Sequence, residues 1–249
     1  MPTVRATLFG VPGSHPALAG QLMLERKGFD VRRLDMVAGV HRVLLRGLGF
    51  SRMTVPAVRL DGQRLQGTRT IALALDAMVP LPPLVPAEPE RREAVLRAEA
   101  WADEVLQPVA RRLAWGALKR DHSTIATYLE GARLGIPVSL AAAMAPPVIR
   151  LAARLNHADD EHVLRDLRAL PTLLDRLDGF LVQGVIGGEE PNVADYQIAT
   201  TVRLLMSLDD LHAWIERHPA GAHAQAVVPR FPGRIGPVFP HDWLPPAAR

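Results

Sequence analysis

Apolar positions recur with two different periods along the chain, and the change from one to the other divides it. Val4 to Phe9 reads as a short strand, and a Gly/Pro turn then leads into a helix from about His15 to Lys27. In that helix Leu18, Leu22 and Met23 fall on one face and Gly28 closes the element. A second strand at Asp30 to Leu34 completes a βαβ unit, and Val37 to Phe50 predicts an irregular helix ending at Gly47 or Gly49. Val55 to Leu60, the dipeptide Asp61-Gly62 and Gln63 to Gln66 form a hairpin signal, because Asp-Gly suits the positive φ values of a type I′ turn. Thr68 to Met78 follows as a helix with Ile71, Leu75 and Met78 on one face.

The stretch Val79-Pro-Leu-Pro-Pro-Leu-Val-Pro-Ala-Glu-Pro89 cannot continue a helix and reads as an extended connector. Beyond it no strand pattern of useful length occurs. Helices are expected at Glu90 to Lys119, Ser123 to Leu134, Pro137 to Leu155 with a break at Pro146-Pro147, Asp159 to Leu177, Asn192 to Leu208 and Asp210 to Arg217. The tail Val228 to Arg249, rich in Pro and Gly, is expected to wrap over a surface. The expected architecture is a βαβαββα domain over residues 1–79, a linker at 80–89 and an all-α domain over 90–249.

Composition narrows the chemistry. The chain has 249 residues and no cysteine, so disulfides, thiolate metal sites and cysteine nucleophiles are excluded, and any thiol must come from a ligand. Basic residues number 29 against 26 acidic, interspersed rather than in blocks, and aromatic content is 5%, which argues against a nucleic-acid groove. Met1 to Gly10 lacks the pattern of a signal peptide or anchor, and Leu134 to Ile149 is too short and too interrupted by proline to span a bilayer. A soluble cytoplasmic protein with no membrane partner is the expectation.

The junction Phe9-Gly-Val-Pro-Gly-Ser-His-Pro16 carries the candidate chemistry. Ser14 stands at a helix start, where free backbone N–H groups and the positive dipole end favour an anion or a thiolate. A helix cap is the plainer reading of the same residue. Pro56, in a hairpin strand, is either an ordinary edge-strand proline or the second residue of a cis Val55-Pro56 bond. His15 beside Ser14 invites a hydrolase reading, but no Gly-x-Ser-x-Gly elbow is present. His157 and His162, among Asp159, Asp160 and Glu161, match no metal motif, and no metal site is expected.

Ser14-His-Pro-Ala17 with Leu22-Met-Leu-Glu-Arg-Lys-Gly28, Thr54-Val-Pro-Ala-Val58, and Asn192-Val-Ala-Asp195 together resemble the glutathione S-transferase family. The resemblance runs from about Thr3 to about Pro229 and implies a thioredoxin-like N-terminal domain followed by an all-helical one. It also implies a cytosolic homodimer that joins glutathione, as cosubstrate, to an apolar electrophile. Ser14 inherits the role of holding the glutathione sulfur as thiolate, and Val55, before Pro56 and after Thr54, that of pairing its backbone with the cysteinyl part. His41 and Arg42 fall where the family binds the glycyl carboxylate, although a solvated helix face explains either one alone. Asn192 and Asp195 correspond to a helix capping box.

One position departs from the pattern. Where the family has Glu-Ser, this chain has Gly67-Thr68. Thr68 keeps a hydroxyl for the γ-glutamyl carboxylate, but Gly67 offers nothing to the ammonium, and the neighbouring Arg69 has the charge for a carboxylate instead. A different low-molecular-weight thiol, or a non-catalytic ligand-binding or interaction protein on the same fold, is the alternative this substitution raises. His15 and Trp115 are candidates for the electrophile pocket, with core packing the plainer reading of Trp115.

Overall fold

The computed structural model describes residues 5–248. Strand β1 (Arg5–Gly10) pairs in parallel with β2 (Asp30–Asp35) and antiparallel with β3 (Ala57–Leu60), which pairs antiparallel with β4 (Gln63–Gln66). The sheet order is β2-β1-β3-β4. Helices α1 (His15–Arg26), α2 (His41–Gly47) and α3 (Thr68–Met78) complete the βαβαββα order that the periodicity predicts. Val4, the expected first residue of β1, lies outside the described residues. Asp61 and Gly62 have φ of 46° and 74°, both positive as a type I′ turn requires.

Local chemistry fixes the ends of α1. Gly28, at φ 77°, lets its N–H reach Glu25 O at 2.9 Å and the Phe29 N–H reach Leu24 O at 3.1 Å, which is a Schellman ending. Lys27 beside it is buried, and its Nζ donates to Val79 O and Pro82 O, both at 2.6 Å, and lies 2.7 Å from Asp76 Oδ1. Asp76 in turn accepts from the N–H groups of Leu84 and Val85. The Lys-Gly pair therefore fastens the proline-rich connector to the back of α1 and α3.

The helical part begins with α4 (Pro89–Trp101), a π-helical turn at Ala102–Leu106 and α5 (Gln107–Arg120), which run on without a break. The sequence predicts one uninterrupted α-helix there; Pro108 cannot donate to the ladder, and the turn before it widens to i→i+5 spacing. Then come α6 (Ile125–Leu129), α7 (Val138–Ala143) and α8 (Ala145–Leu155). α6 is shorter than expected because Gly131, at φ 70°, turns the chain. The break expected at Pro146-Pro147 falls instead at Met144, and the two prolines sit in the first turn of α8, where their missing N–H groups cost nothing.

The rest of the described chain holds α9 (Asp160–Val182), α10 (Val193–Met206), α11 (Asp209–Glu216), α12 (Pro219–Val227) and a largely irregular tail. α10 is the axis of this part: every one of its residues except Arg203 is buried, and it packs on α1, α3, α4, α5, α11 and α12. Its start is the capping box foreseen at Asn192 and Asp195. A large apolar core runs from the back of the sheet through α10, and a small second cluster of Phe9, Met36, Leu45, Phe50 and Ala57 supports α2. No helix among the described residues is long and apolar enough to cross a membrane.

Candidate functional site

The turn between β1 and α1 brings Ser14 to the start of α1, where its Oγ accepts a long 3.4 Å bond from the Ala17 N–H. Pro16 removes one further donor from that turn, as the sequence Ser-His-Pro requires. Ser14 is half-buried. The capping bond is too long to hold the hydroxyl firmly, which leaves Oγ able to turn to another partner.

Across from α1 lies the segment that enters β3. Val55-Pro56 is cis, and Pro56 packs directly on α1: a Cβ on Gly20 would stand 3.2 Å from Pro56 Cβ. Val55 packs its side chain on the small cluster under α2, while its own N–H and C=O have no partner among the described residues. A half-buried peptide unit with both groups open is the edge at which an extended ligand backbone can pair. The loop before it is held by Gln66, whose Nε2 donates to Arg52 O at 2.8 Å and Thr54 O at 3.1 Å, while its Oε1 accepts from the Arg52 N–H at 2.8 Å. No sequence signal singled out Gln66, since its partners lie more than ten residues away.

Gly67 precedes α3 with φ 86° and ψ 145°, a conformation that strains any residue with a Cβ. Thr68 is buried at the first position of α3, and that helix start has no side-chain cap. The Gly67 N–H is taken by Pro56 O at 3.2 Å and the Ile71 N–H by Gly67 O at 3.0 Å, so the N–H groups between them, of Thr68, Arg69 and Thr70, are open to an anion. Arg52 Nη1 lies 3.7 Å from the place a Cβ on residue 67 would occupy. Where the resemblance led to a carboxylate, the surroundings are therefore cationic.

The remaining predicted site residues turn elsewhere. Arg69 points to the helical part, where Nε donates to Glu99 Oε2 at 2.7 Å and Nη2 to Leu96 O at 2.7 Å; it is a strut between α3 and α4. Burial raises the Glu99 carboxyl above its ordinary range, and Arg69 pulls it back. His41 accepts the Gly39 N–H on Nδ1 at 3.0 Å, and burial with the charge of Arg42 lowers its pKa. Arg42 is exposed on α2. Trp115 is partly buried against the main core. His162 bonds Asp159 at the start of α9, and no group of three or more His, Asp or Glu among the described residues is placed to hold a metal ion.

His15 lies directly behind Ser14, 3% exposed, and its Nε2 has no partner. Burial, reinforced by the Arg111 charge, pushes its pKa down to about 3. Between that value and the ordinary one near 6.5, the unfolded chain binds a proton that the folded chain refuses, so stability falls as pH falls through this window. Each pH unit below the ordinary value costs about 1.4 kcal/mol, or about 2 kcal/mol by pH 5. Urea unfolding of the wild type and of His15→Gln at pH 7 and pH 5 measures it. The wild type is expected to lose about 2 kcal/mol more than the variant on acidification; equal losses would mean that His15 takes up its proton freely.

Tyr128 of α6, rather than Trp115, is an aromatic ring that meets the Ser14 turn. A Cβ on Gly13 would stand 2.7 Å from its ring, and one on Gly233 2.2 Å. Its hydroxyl bonds Ser207 Oγ at 2.6 Å, and burial raises its pKa to about 12. The same segment is strapped to the sheet: Arg133 N–H donates to Asp35 Oδ2 at 2.9 Å, and the Asp35 N–H to Arg133 O at 3.2 Å. The only sequence traces of this contact are two glycines and a tyrosine far apart in the chain.

No family model matches this sequence, and no curated protein does. Solved structures do match. A GST-like protein from Pseudomonas syringae is 21% identical at a TM-score of 0.60, covering 94% of this chain and 70% of its own. The theta class glutathione S-transferase from the citrus canker pathogen Xanthomonas axonopodis pv. citri, with glutathione bound, is 17% identical at 0.56, with 91% and 98% covered. Rice GST1 in complex with glutathione is 17% identical at 0.56, with 92% and 84% covered. The thioredoxin-like sheet, the helical part built around α10 and these likenesses agree: the chain has the glutathione S-transferase fold.

Proposed function

We propose that the protein is a glutathione-transferase-like enzyme that binds a peptide thiol along Val55 and activates its sulfur at Ser14 for attack on an apolar electrophile. The observation that carries this reading is the open N–H and C=O of Val55, next to Pro56 packed on α1. Ser14 at the head of α1 then supplies a hydroxyl and the positive dipole end to the sulfur, and the uncapped start of α3 at Thr68 takes the ligand's carboxylate. Two relatives by fold have glutathione bound, which supports the same cosubstrate here. A cytosolic homodimer belongs to the same proposal.

A second reading concerns the thiol's identity. Arg52 beside Gly67 places positive charge where a γ-glutamyl ammonium would lie, which favours a thiol without that ammonium. Calorimetric titration with glutathione and with its des-amino analogue separates the two. The glutathione reading expects saturable binding at millimolar concentration; binding of the analogue alone selects the second reading. Binding of neither leaves the fold with a non-catalytic role and sinks both.

A further inference from the structure

Six of the fifteen large apolar side chains exposed among the described residues fall within residues 136–155: Ile136, Val138, Leu140, Met144, Leu151 and Leu155. Scattered singly, such residues need no explanation, but a cluster on one segment marks a contact surface. α7, whose sequence is Val-Ser-Leu-Ala-Ala-Ala, has no buried residue at all. α8 buries only Ala145, Ile149 and Ala153, which leaves Leu151 and Leu155 more than half exposed, with Met144 equally open at its N-terminal end. Pro147, Leu151 and Leu155 follow one another four residues apart along the outer side of α8, and Arg150 and Arg154 form the adjoining row.

The charge of this surface has one sign. Gly131 to Ala158 contains Arg133, Arg150 and Arg154 and no Asp or Glu. Where α8 meets the end of α5, a groove of about 360 Å³ is lined by Lys119, Arg150, Arg154 and His157. All four are exposed to solvent, and among the described residues no carboxylate bonds the side chains of Lys119, Arg150 or Arg154. Asp159, on the same wall, is turned to His162 through Oδ1, and Asp160 next to it is taken by Arg120. Open cations in a groove meet a phosphate with charge-assisted bonds. Cations beside an aliphatic row on one helix are the pattern of a helix that lies in a lipid interface. The exposed row has no aromatic ring of the kind that anchors a protein partner; its aliphatic side chains and Met144 can enter a lipid surface without a matching pocket. A helix lying on a bilayer needs no spanning length, so the short, proline-broken stretch that excludes a transmembrane segment does not exclude this contact.

We propose that α7 and α8 form a docking surface for an anionic phospholipid bilayer, with Met144, Leu151 and Leu155 entering the acyl boundary and the groove of Lys119, Arg150 and Arg154 holding headgroup phosphates. The surface is independent of the thiol chemistry proposed at Ser14. Flotation of the full chain with vesicles of phosphatidylcholine alone, and with about one-third phosphatidylglycerol, tests it. Binding is expected only to the anionic vesicles, and it is expected to weaken as salt rises. Arg150→Gln/Arg154→Gln is expected to weaken it about thirtyfold, at about fivefold for each cation. Leu151→Ser/Leu155→Ser, with the charge unchanged, is expected to weaken it by about tenfold or more. All four side chains are exposed, so both variants are expected to keep the wild-type thermal midpoint. Arg32→Gln/Arg97→Gln removes the same charge from exposed positions on β2 and α4 and is expected to leave vesicle affinity unchanged. Because the chain has no cysteine, Leu151→Cys carries an environment-sensitive dye at a single site, and its emission is expected to move to shorter wavelength on anionic vesicles. Equal binding to neutral vesicles, no binding to anionic ones, an unshifted dye, unchanged affinity in either α8 variant, or an equal loss in Arg32→Gln/Arg97→Gln would each overturn the assignment. A Leu151→Ser/Leu155→Ser chain that floats as the wild type does but sediments as a smaller species would overturn it too, and would give this face to a second copy of the chain.

Discussion

Asp195→Ala is expected to cost about 3–5 kcal/mol of folding stability, measured as a lower urea midpoint with an unchanged slope. Asp195 is fully buried at the start of α10, and its carboxylate is the acceptor for two backbone donors of the segment before the helix. Its Oδ2 accepts the Asn192 N–H at 2.8 Å, and its Oδ1 accepts the Gly187 N–H at 2.7 Å, which ties in the loop before the helix. His223 Nε2 of α12 lies 2.9 Å from Oδ1 without hydrogen-bond geometry, so a second helix packs against the same carboxylate. Alanine would strand the buried Asn192 N–H, free the N–H of Gly187 in its exposed loop, and take the negative charge from the helix N-terminus. Asp195→Asn keeps the shape and one acceptor and should lose about half as much. A loss under about 1 kcal/mol for the alanine variant would place the weight of this helix start elsewhere.

Ser14→Ala is expected to lower kcat/KM for thiol conjugation about a hundredfold near neutral pH, with KM for the thiol little changed. Lowering a thiol pKa by about two units corresponds to about 2.7 kcal/mol, and removing the hydroxyl gives most of that back. The pH profile separates activation from structure. Without Ser14 the rate should keep rising through about pH 8–9, where the thiol ionises unaided, and the two enzymes should converge there. The lost helix cap costs about 1 kcal/mol of stability at most, because the Ser14–Ala17 bond is already 3.4 Å long. Ser14→Thr should restore part of the rate. Turnover unchanged in the alanine variant would remove this hydroxyl from the mechanism.

What was legible in the sequence was written in neighbouring residues. Asp61-Gly62 gave the hairpin, Lys27-Gly28 the end of α1, and Asn192 with Asp195 the start of α10, because each is a contact closed within a few residues. α12 escaped notice because Pro219-Ala-Gly-Ala222 has no large apolar stripe. Its fit depends on Gly221 lying flush against α11, where a Cβ would stand 2.0 Å from Ile215 O. The site was harder for the same reason. Ser14 and Val55 announce themselves locally, but the direction of Arg69 toward Glu99, of Arg52 toward Gly67 and of Tyr128 toward Gly13 depends on chain segments brought together only by the tertiary fold. A long, flexible cation has many places to go, and sequence does not say which carboxylate will claim it.

Tyr128 meets both Gly13 and Gly233 at the Cδ1 edge of its ring. The turn that carries Ser14 and the tail segment at Gly233 are thus pressed against one ring, as two pages are by one clip. A change in the tail near Gly233 has a route of direct contact to the place where the chemistry is proposed.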